Sequence, residues 1–286
     1  MSIFVNHVHI LPAVFREDAS IDAFLRLADD LDFANAVCFA PFHYQLEKAG
    51  ITQEQNEWLA ETISPYNQLV GYGTLNPFKE AAPQVRRIAE LGFRGIKLHP
   101  PAQAFPIYGD WSREAYAVME ELGLIADFHL GIHWNRLKDY DPLDCDEIAH
   151  EFPKLRMVYE HVGGWHYYRQ VLAVITNNMK RGNHLYAGIA SVLDRENQKY
   201  WYLGPEGLDE CKWQIGPDLL IYGLDFPYNQ KPQIQRDLEI IHNLGWSAED
   251  TAALLGGNLR RLLSHDGAVA RLSGGDPNPT FKIARL

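Results

Sequence analysis

The chain has 286 residues, 47% of them hydrophobic, with 26 Lys and Arg against 37 Asp and Glu, a formal net charge of −11. That balance argues against a general affinity for nucleic acid or anionic membrane, while leaving room for an anionic small substrate at a local cationic site. The length suits one large domain, and the three widely spaced cysteines, Cys38, Cys145 and Cys211, form no CxxC pair and read as reduced thiols of a cytoplasmic protein.

Met1-Ser2-Ile3-Phe4-Val5 runs straight into a first predicted strand, 3–10, with no pattern of a signal peptide, and no later apolar run is long enough to span a bilayer. Further strands are predicted at 34–40, 69–75, 95–98, 124–129, 156–161, 185–190 and 219–224. Amphipathic helical patterns fall between them at 21–31, 53–63, 81–91, 113–122, 167–179 and 232–244. Ser20 stands as a helix start signal, and Gly92, Gly123 and Gly245 as stop signals. Strict alternation of eight strands with helices predicts an α/β fold, a (β/α)8 TIM barrel of parallel strands, whose site lies at the carboxyl ends of the strands. The domain is expected to cover 1–270, followed by a C-terminal tail, 271–286. Loops 100–111, 134–142 and 193–205 are long and aromatic, and either cover a pocket or pack over the barrel mouth.

Five strands end in polar groups at one depth. The first carries His7 and His9, two residues apart and therefore on one face. Lys97 and His99 end the fourth, His129 the fifth, His161 the sixth and Asp225 the eighth. Buried polar tips each need a partner, and so many at one level suit a divalent metal better than a packed core. Three imidazoles and a carboxylate, His7, His9, His129 and Asp225, make a plausible four- or five-coordinate site with room for water. His161, before Gly163-Gly164, is a candidate proton carrier, with a further ligand or a core histidine as alternatives. Lys97 can bind a substrate carboxylate, balance charge, or carry a carbamate bridging a second metal. His99 and Arg136 are the other candidates for substrate binding, while His133 and Trp134 could face the pocket from a loop. His43, His150, His166, His184, His242 and His265 read as surface or packing residues.

In order and spacing, these segments resemble the amidohydrolase superfamily, in its amidohydrolase-related branch of aminocarboxymuconate semialdehyde decarboxylases, resorcylate-type decarboxylases and lactonases. The resemblance is carried by His7-Val8-His9-Ile10-Leu11-Pro12, Phe128-His129-Leu130-Gly131, Glu160-His161-Val162-Gly163-Gly164, Gly223-Leu224-Asp225-Phe226-Pro227 and the closing Gly257-Asn258-Leu259-Arg260-Arg261-Leu262-Leu263. It implies one divalent metal ion, zinc or manganese, on His7, His9, His129 and Asp225, with His161 as the acid/base residue. Val5 departs from a frequent aspartate and Leu224 from a frequent serine; neither removes a ligand.

The expected chemistry is hydrolysis of a C–O or C–N bond, as in a lactone or amide, by a metal-activated water handled by Asp225 and His161. Lys97 or Arg136 would anchor a substrate carboxylate. The alternative is non-oxidative decarboxylation of an aromatic or unsaturated acid at the same site. A barrel that binds without catalysis is a third reading. The expected partner is a small molecule, with a homodimer as the prior for assembly.

Overall fold

The computed structural model describes residues 2–264; the predicted tail and His265 lie outside them. Eight parallel strands close a barrel in chain order: β1 (Ile3–His9), β2 (Phe33–Phe39), β3 (Leu69–Thr74), β4 (Gly95–Leu98), β5 (Ile125–His129), β6 (Arg156–Glu160), β7 (Leu185–Ile189) and β8 (Leu220–Phe226), with β1 pairing β8. Helices lie between the strands, so the sheet meets an apolar layer outside and a second set of side chains inside. The predicted signals act as expected at two ends: Ser20 Oγ accepts the Ala23 amide at 3.3 Å, and Gly123 ends the helix Asp110–Leu122 at φ 66°. Among the described residues no helix is long and apolar enough to cross a membrane.

The barrel interior is layered. At the amino ends of the strands, Phe4, Val37, Val70, Ile125, Val158, Tyr186 and Ile221 form a small apolar core, sealed by Leu259, Leu262 and Leu263 of the helix Asn258–Ser264. Arg156 Nη1 donates to Leu262 O at 2.7 Å, which holds that helix beneath the barrel. Above this layer come Asn6, Lys97, Asp127 and Glu160, all buried. The histidines stand higher still, at the carboxyl ends. The outward side chains of the same strands, such as Val5, Val8, Ile96, Leu98, Ala126 and Phe128, belong to the larger core under the helices.

Simple alternation fails at one point of β1. His7 sits at φ 63°, and the register with both neighbouring strands shifts between Val5 and Val8 and between Asn6 and Val8. One residue is thereby bulged, and Asn6 and His7 both reach the interior instead of opposing faces. The end of β6 also differs from expectation, because His161 leaves the strand at φ 59° and begins a short turn, His161–Gly163. Two described helices of eight or more residues had no strong sequence signal. Asp144–Glu151 is short and acidic, and Gly204–Ile215 carries Gly204, Pro205 and Gly207, which read as loop residues although Pro205 stands in the first turn, where its missing N–H costs no bond.

Asp237, on the inner side of the helix Lys231–His242, is 2% exposed and its Oδ1 has no hydrogen-bond partner. Burial, then the charge of Asp194, pushes its carboxyl up to about 7. The folded state therefore holds this proton more tightly than the unfolded chain, where an aspartate titrates near about 3.9. This group's penalty is absent below the unfolded value and grows as pH rises to about 7, reaching about 4 kcal/mol. Asp237→Asn should remove that penalty, so the variant's advantage in urea unfolding is expected to be small at pH 4 and largest above pH 7. An advantage that does not change with pH would contradict this.

Candidate metal centre and acid–base site

His7, His9 and Asp225 converge at the barrel mouth, with ligand atoms all within 4.8 Å of one another. The Nε2 atoms of His7 and His9 are 3.1 Å apart, and Asp225 Oδ1 lies 3.3 Å from the first and 3.8 Å from the second. These are groups from the first and last strands, which pair directly in the barrel. Burial, followed by the charge of Lys97, holds both imidazoles well below the usual histidine range, so their lone pairs stay free for a ligand. Burial pushes Asp225 the other way, to about 6, against the opposing effects of the Ser191 hydrogen bond and Lys97.

Each of these groups is held from behind. Ser191 Oγ donates to Asp225 Oδ2 at 2.6 Å and accepts from Asn229 Nδ2 at 2.9 Å; Gln198 Nε2 donates to Asn229 Oδ1 at 2.9 Å. His7 Nδ1 lies 2.9 Å from Glu160 Oε2. Asn6 Nδ2 bridges Glu160 Oε1 at 2.6 Å and Asp127 Oδ2 at 3.0 Å, and Lys97 Nζ donates to Asp127 Oδ1 at 2.9 Å. Burial and the charge of Asp127 push Glu160 well above the usual carboxylate range.

His161 stands beside this trio, its ring 5.0 Å from that of His7 and 4.8 Å from that of His129. Its Nδ1 is 2.8 Å from Ala190 O, a partner that can only accept, so Nδ1 carries the proton and Nε2 the lone pair. Trp201 lies nearly parallel to the ring, at 5.3 Å and 16°. Burial, then Lys97, pushes His161 down to about 3, which keeps it neutral. Gly131 and Gly164 make room for the indole. A Cβ on Gly164 would come within 2.6 Å of Trp201 Cδ1, and both glycines have positive φ.

Non-glycine residues with positive φ include His7, His161, Ser191 and Asp225. Such conformations cost on the order of 1–3 kcal/mol each and persist where the surroundings impose them, which is typical of functional sites.

Charge and orphaned atoms at the donor set bear on whether it suits a divalent cation. Fully ionised, Asp127, Glu160 and Asp225 would carry a formal −2 against Lys97, and burial pushes Glu160 and Asp225 towards their neutral forms, an effect that one divalent ion would reverse. His129 Nε2 is buried with no hydrogen-bond partner. Imidazoles and a carboxylate are the ligand types of zinc and manganese, and the missing positive charge is that of one divalent ion. The residues fit.

Not every predicted residue enters the trio. His129 stacks on His99 at 3.8 Å and 8°, and its ring lies 4.8 Å from that of His161, outside the group of His7, His9 and Asp225. His99 is at the site, with Nδ1 accepting the Ala102 amide at 3.3 Å, and His133 stands edge-on to it. Lys97 is below the histidines, fully enclosed and paired with Asp127. Arg136 points to solvent, 75% exposed, with its Nη2 2.5 Å from Asp139 Oδ1.

Glu160, Asn6, Asp127, Ser191 and Trp201 had no role in the sequence reading. Asp127 and Glu160 were within reach of it. Each lies two residues after an inward apolar position, Ile125 and Val158, and alternation carries it into the barrel.

A family profile described as Amidohydrolase matches residues 7–264. No curated protein matches the sequence. Among solved structures, a TIM-barrel protein from Bordetella bronchiseptica aligns with TM-score 0.72 at 17% identity, over 92% of this chain and 98% of its own. A Pseudomonas putida protein provisionally assigned as a 2-pyrone-4,6-dicarboxylic acid hydrolase aligns with TM-score 0.68 at 19% identity, over 92% and 97%. A dihydroxybenzoic acid decarboxylase from Polaromonas, solved with manganese and the inhibitor 2-nitroresorcinol, aligns with TM-score 0.64 at 14% identity, over 92% and 96%.

Proposed function

The chain belongs to the amidohydrolase family, whose enzymes depend on a metal, and from that premise we propose that it is a hydrolase of a small-molecule C–O or C–N bond, in a lactone, amide or related substrate. The observation that carries the reading is the convergence of His7, His9 and Asp225 within 4.8 Å, beside a neutral histidine with a fixed tautomer. His7, His9 and Asp225 would hold one divalent ion, zinc or manganese, with His129 and its unpartnered Nε2 as the fourth candidate. Bound there, such an ion supplies Lewis acidity and lowers the pKa of a coordinated water towards about 7.

The chain's own residues handle the proton and the substrate. His161 Nε2 takes a proton from the attacking water and returns one to the leaving oxygen or nitrogen, because its Nδ1–H is committed to Ala190. Asp225 keeps one oxygen on Ser191 and leaves the other towards the reacting centre. Trp201 covers the outer face of His161 and restricts water there. Lys97 offsets the buried carboxylates instead of touching substrate, since it is enclosed beneath the site. The proposed substrates include carboxylates, a class supported by the dicarboxylic acid and dihydroxybenzoic acid named for two of the aligned structures.

A second reading, decarboxylation of an aromatic or unsaturated acid with His161 delivering the proton to carbon, is supported by the dihydroxybenzoic acid decarboxylase among the aligned structures. The test is metal analysis of protein purified without chelator, followed by assay against lactones, amides and aromatic carboxylic acids. About one zinc or manganese per chain with ring-opened or cleaved products supports hydrolysis, whereas carbon dioxide release supports the second reading. Protein that holds no metal and gains no activity with zinc or manganese overturns both.

A further inference from the structure

We propose that Glu160 is a positioning residue for the metal centre, a buried carboxylate that fixes the tautomer and orientation of His7 so that Nε2 faces the metal. The inference rests on the metal-binding reading above and assigns a role to a residue outside the ligand set.

An imidazole that binds a metal through one nitrogen must carry a proton on the other. A carboxylate on that second nitrogen fixes which is which and strengthens the ligand. His7 has the spacing for this arrangement. Its Nδ1 is 2.9 Å from Glu160 Oε2, an ion-pair distance at which the two buried atoms are off the line of a hydrogen bond and neither has another partner, while its Nε2 faces His9 Nε2 at 3.1 Å and Asp225 Oδ1 at 3.3 Å. Glu160 is fully buried, and its other oxygen accepts from Asn6 Nδ2 at 2.6 Å, so the carboxylate cannot turn away. The bulge in β1 is what brings both Asn6 and His7 to it.

Glu160 is not needed to pair the buried lysine. Lys97 Nζ is matched by Asp127 Oδ1 at 2.9 Å, and Glu160 meets that pair through Asn6 and through Asp127, whose charge and hydrogen bond raise its carboxyl. The neighbouring strand also leaves a space for it. Gly188 lies on β7, and a Cβ there would overlap Glu160 Oε2, although the backbone at Gly188 is not in the positive-φ region and would accept alanine. The missing side chain thus serves the carboxylate and not the chain's conformation.

Two variants test this by different routes. Glu160→Gln keeps the shape and removes the acceptor for Nδ1–H, whereas Gly188→Ala keeps the acid and displaces it. Zinc or manganese dissociation constants, measured by chelator competition, should rise about 10–100-fold in both, while the metal-free thermal midpoint should stay close to wild type in Glu160→Gln and fall in Gly188→Ala, where the added Cβ overpacks the carboxylate. Nitrogen NMR of the metal-free protein should show His7 protonated on Nδ1 in the wild type and a mixed tautomer in Glu160→Gln, a change that a purely structural role would not produce. If Glu160→Gln fails to fold, Gly188→Ala alone decides. Variants that bind as tightly as wild type, with the His7 tautomer unchanged, overturn the proposal and leave the metal reading intact. Wild-type protein that binds neither metal removes the metal reading itself.

Discussion

Replacing His9 with alanine is expected to empty the metal centre. His9 supplies one of the two Nε2 atoms 3.1 Å apart, and its ring sits between Phe39 and Tyr228, where no other imidazole can move in. Removing a residue that merely supports a ligand weakens metal affinity about 10–100-fold, and removing the ligand itself should exceed that range. Elemental analysis of the dialysed variant should find metal near zero against about one ion per chain in the wild type, with activity falling in proportion. The fold should persist, because His9 lies above the apolar plug and contributes nothing to it. Full metal content in the variant would mean that the three groups at the mouth are a hydrogen-bonded cluster and not a binding site.

His161→Ala is expected to separate binding from chemistry. The residue lies beside the trio and is tied to Ala190 and Trp201, so its loss leaves His7, His9 and Asp225 in place. Losing a general acid–base group typically lowers the rate by about 10²–10⁴-fold. The variant should keep its metal, lose roughly that factor in kcat, and change little in KM. A variant with wild-type kcat would reassign the proton transfer to Asp225. A variant that loses metal would make His161 a ligand, the alternative that the sequence left open.

The barrel and the convergence of its polar tips were legible because both follow from period-two alternation. Lys97 and His129 are inward residues of regular strands, and counting by twos finds them; it also reaches Asp225, although β8 is irregular there, with Asp225 at φ 54°. The same count from Val158 would have found Glu160, and from Ile125 would have found Asp127. What could not be read is conformation that alternation does not contain. The bulge at His7 depends on a left-handed backbone angle that no residue type announces, and it turns Asn6 from a spacer between two positions into part of the site. Loop residues were the least legible. Arg136 was predicted to meet substrate because it follows His129 closely in sequence, but an aspartate three residues on captures it at the surface. Trp201 came from a stretch noted only for its aromatic content, and its place on His161 depends on Gly131 and Gly164, far away in the chain.

The pairing of β1 with β8 has a further consequence, for how the molecule is made. The ring has no closed form until its first and eighth strands meet, with Asn6 opposite Gly223, and the stopper of leucines comes later still. During synthesis the amino-terminal strand must therefore wait with one flank bare while most of the polypeptide emerges. Until that last pairing, His7 and His9 have no carboxylate from Asp225 opposite them, so the proposed cation site would be complete only in a nearly finished chain.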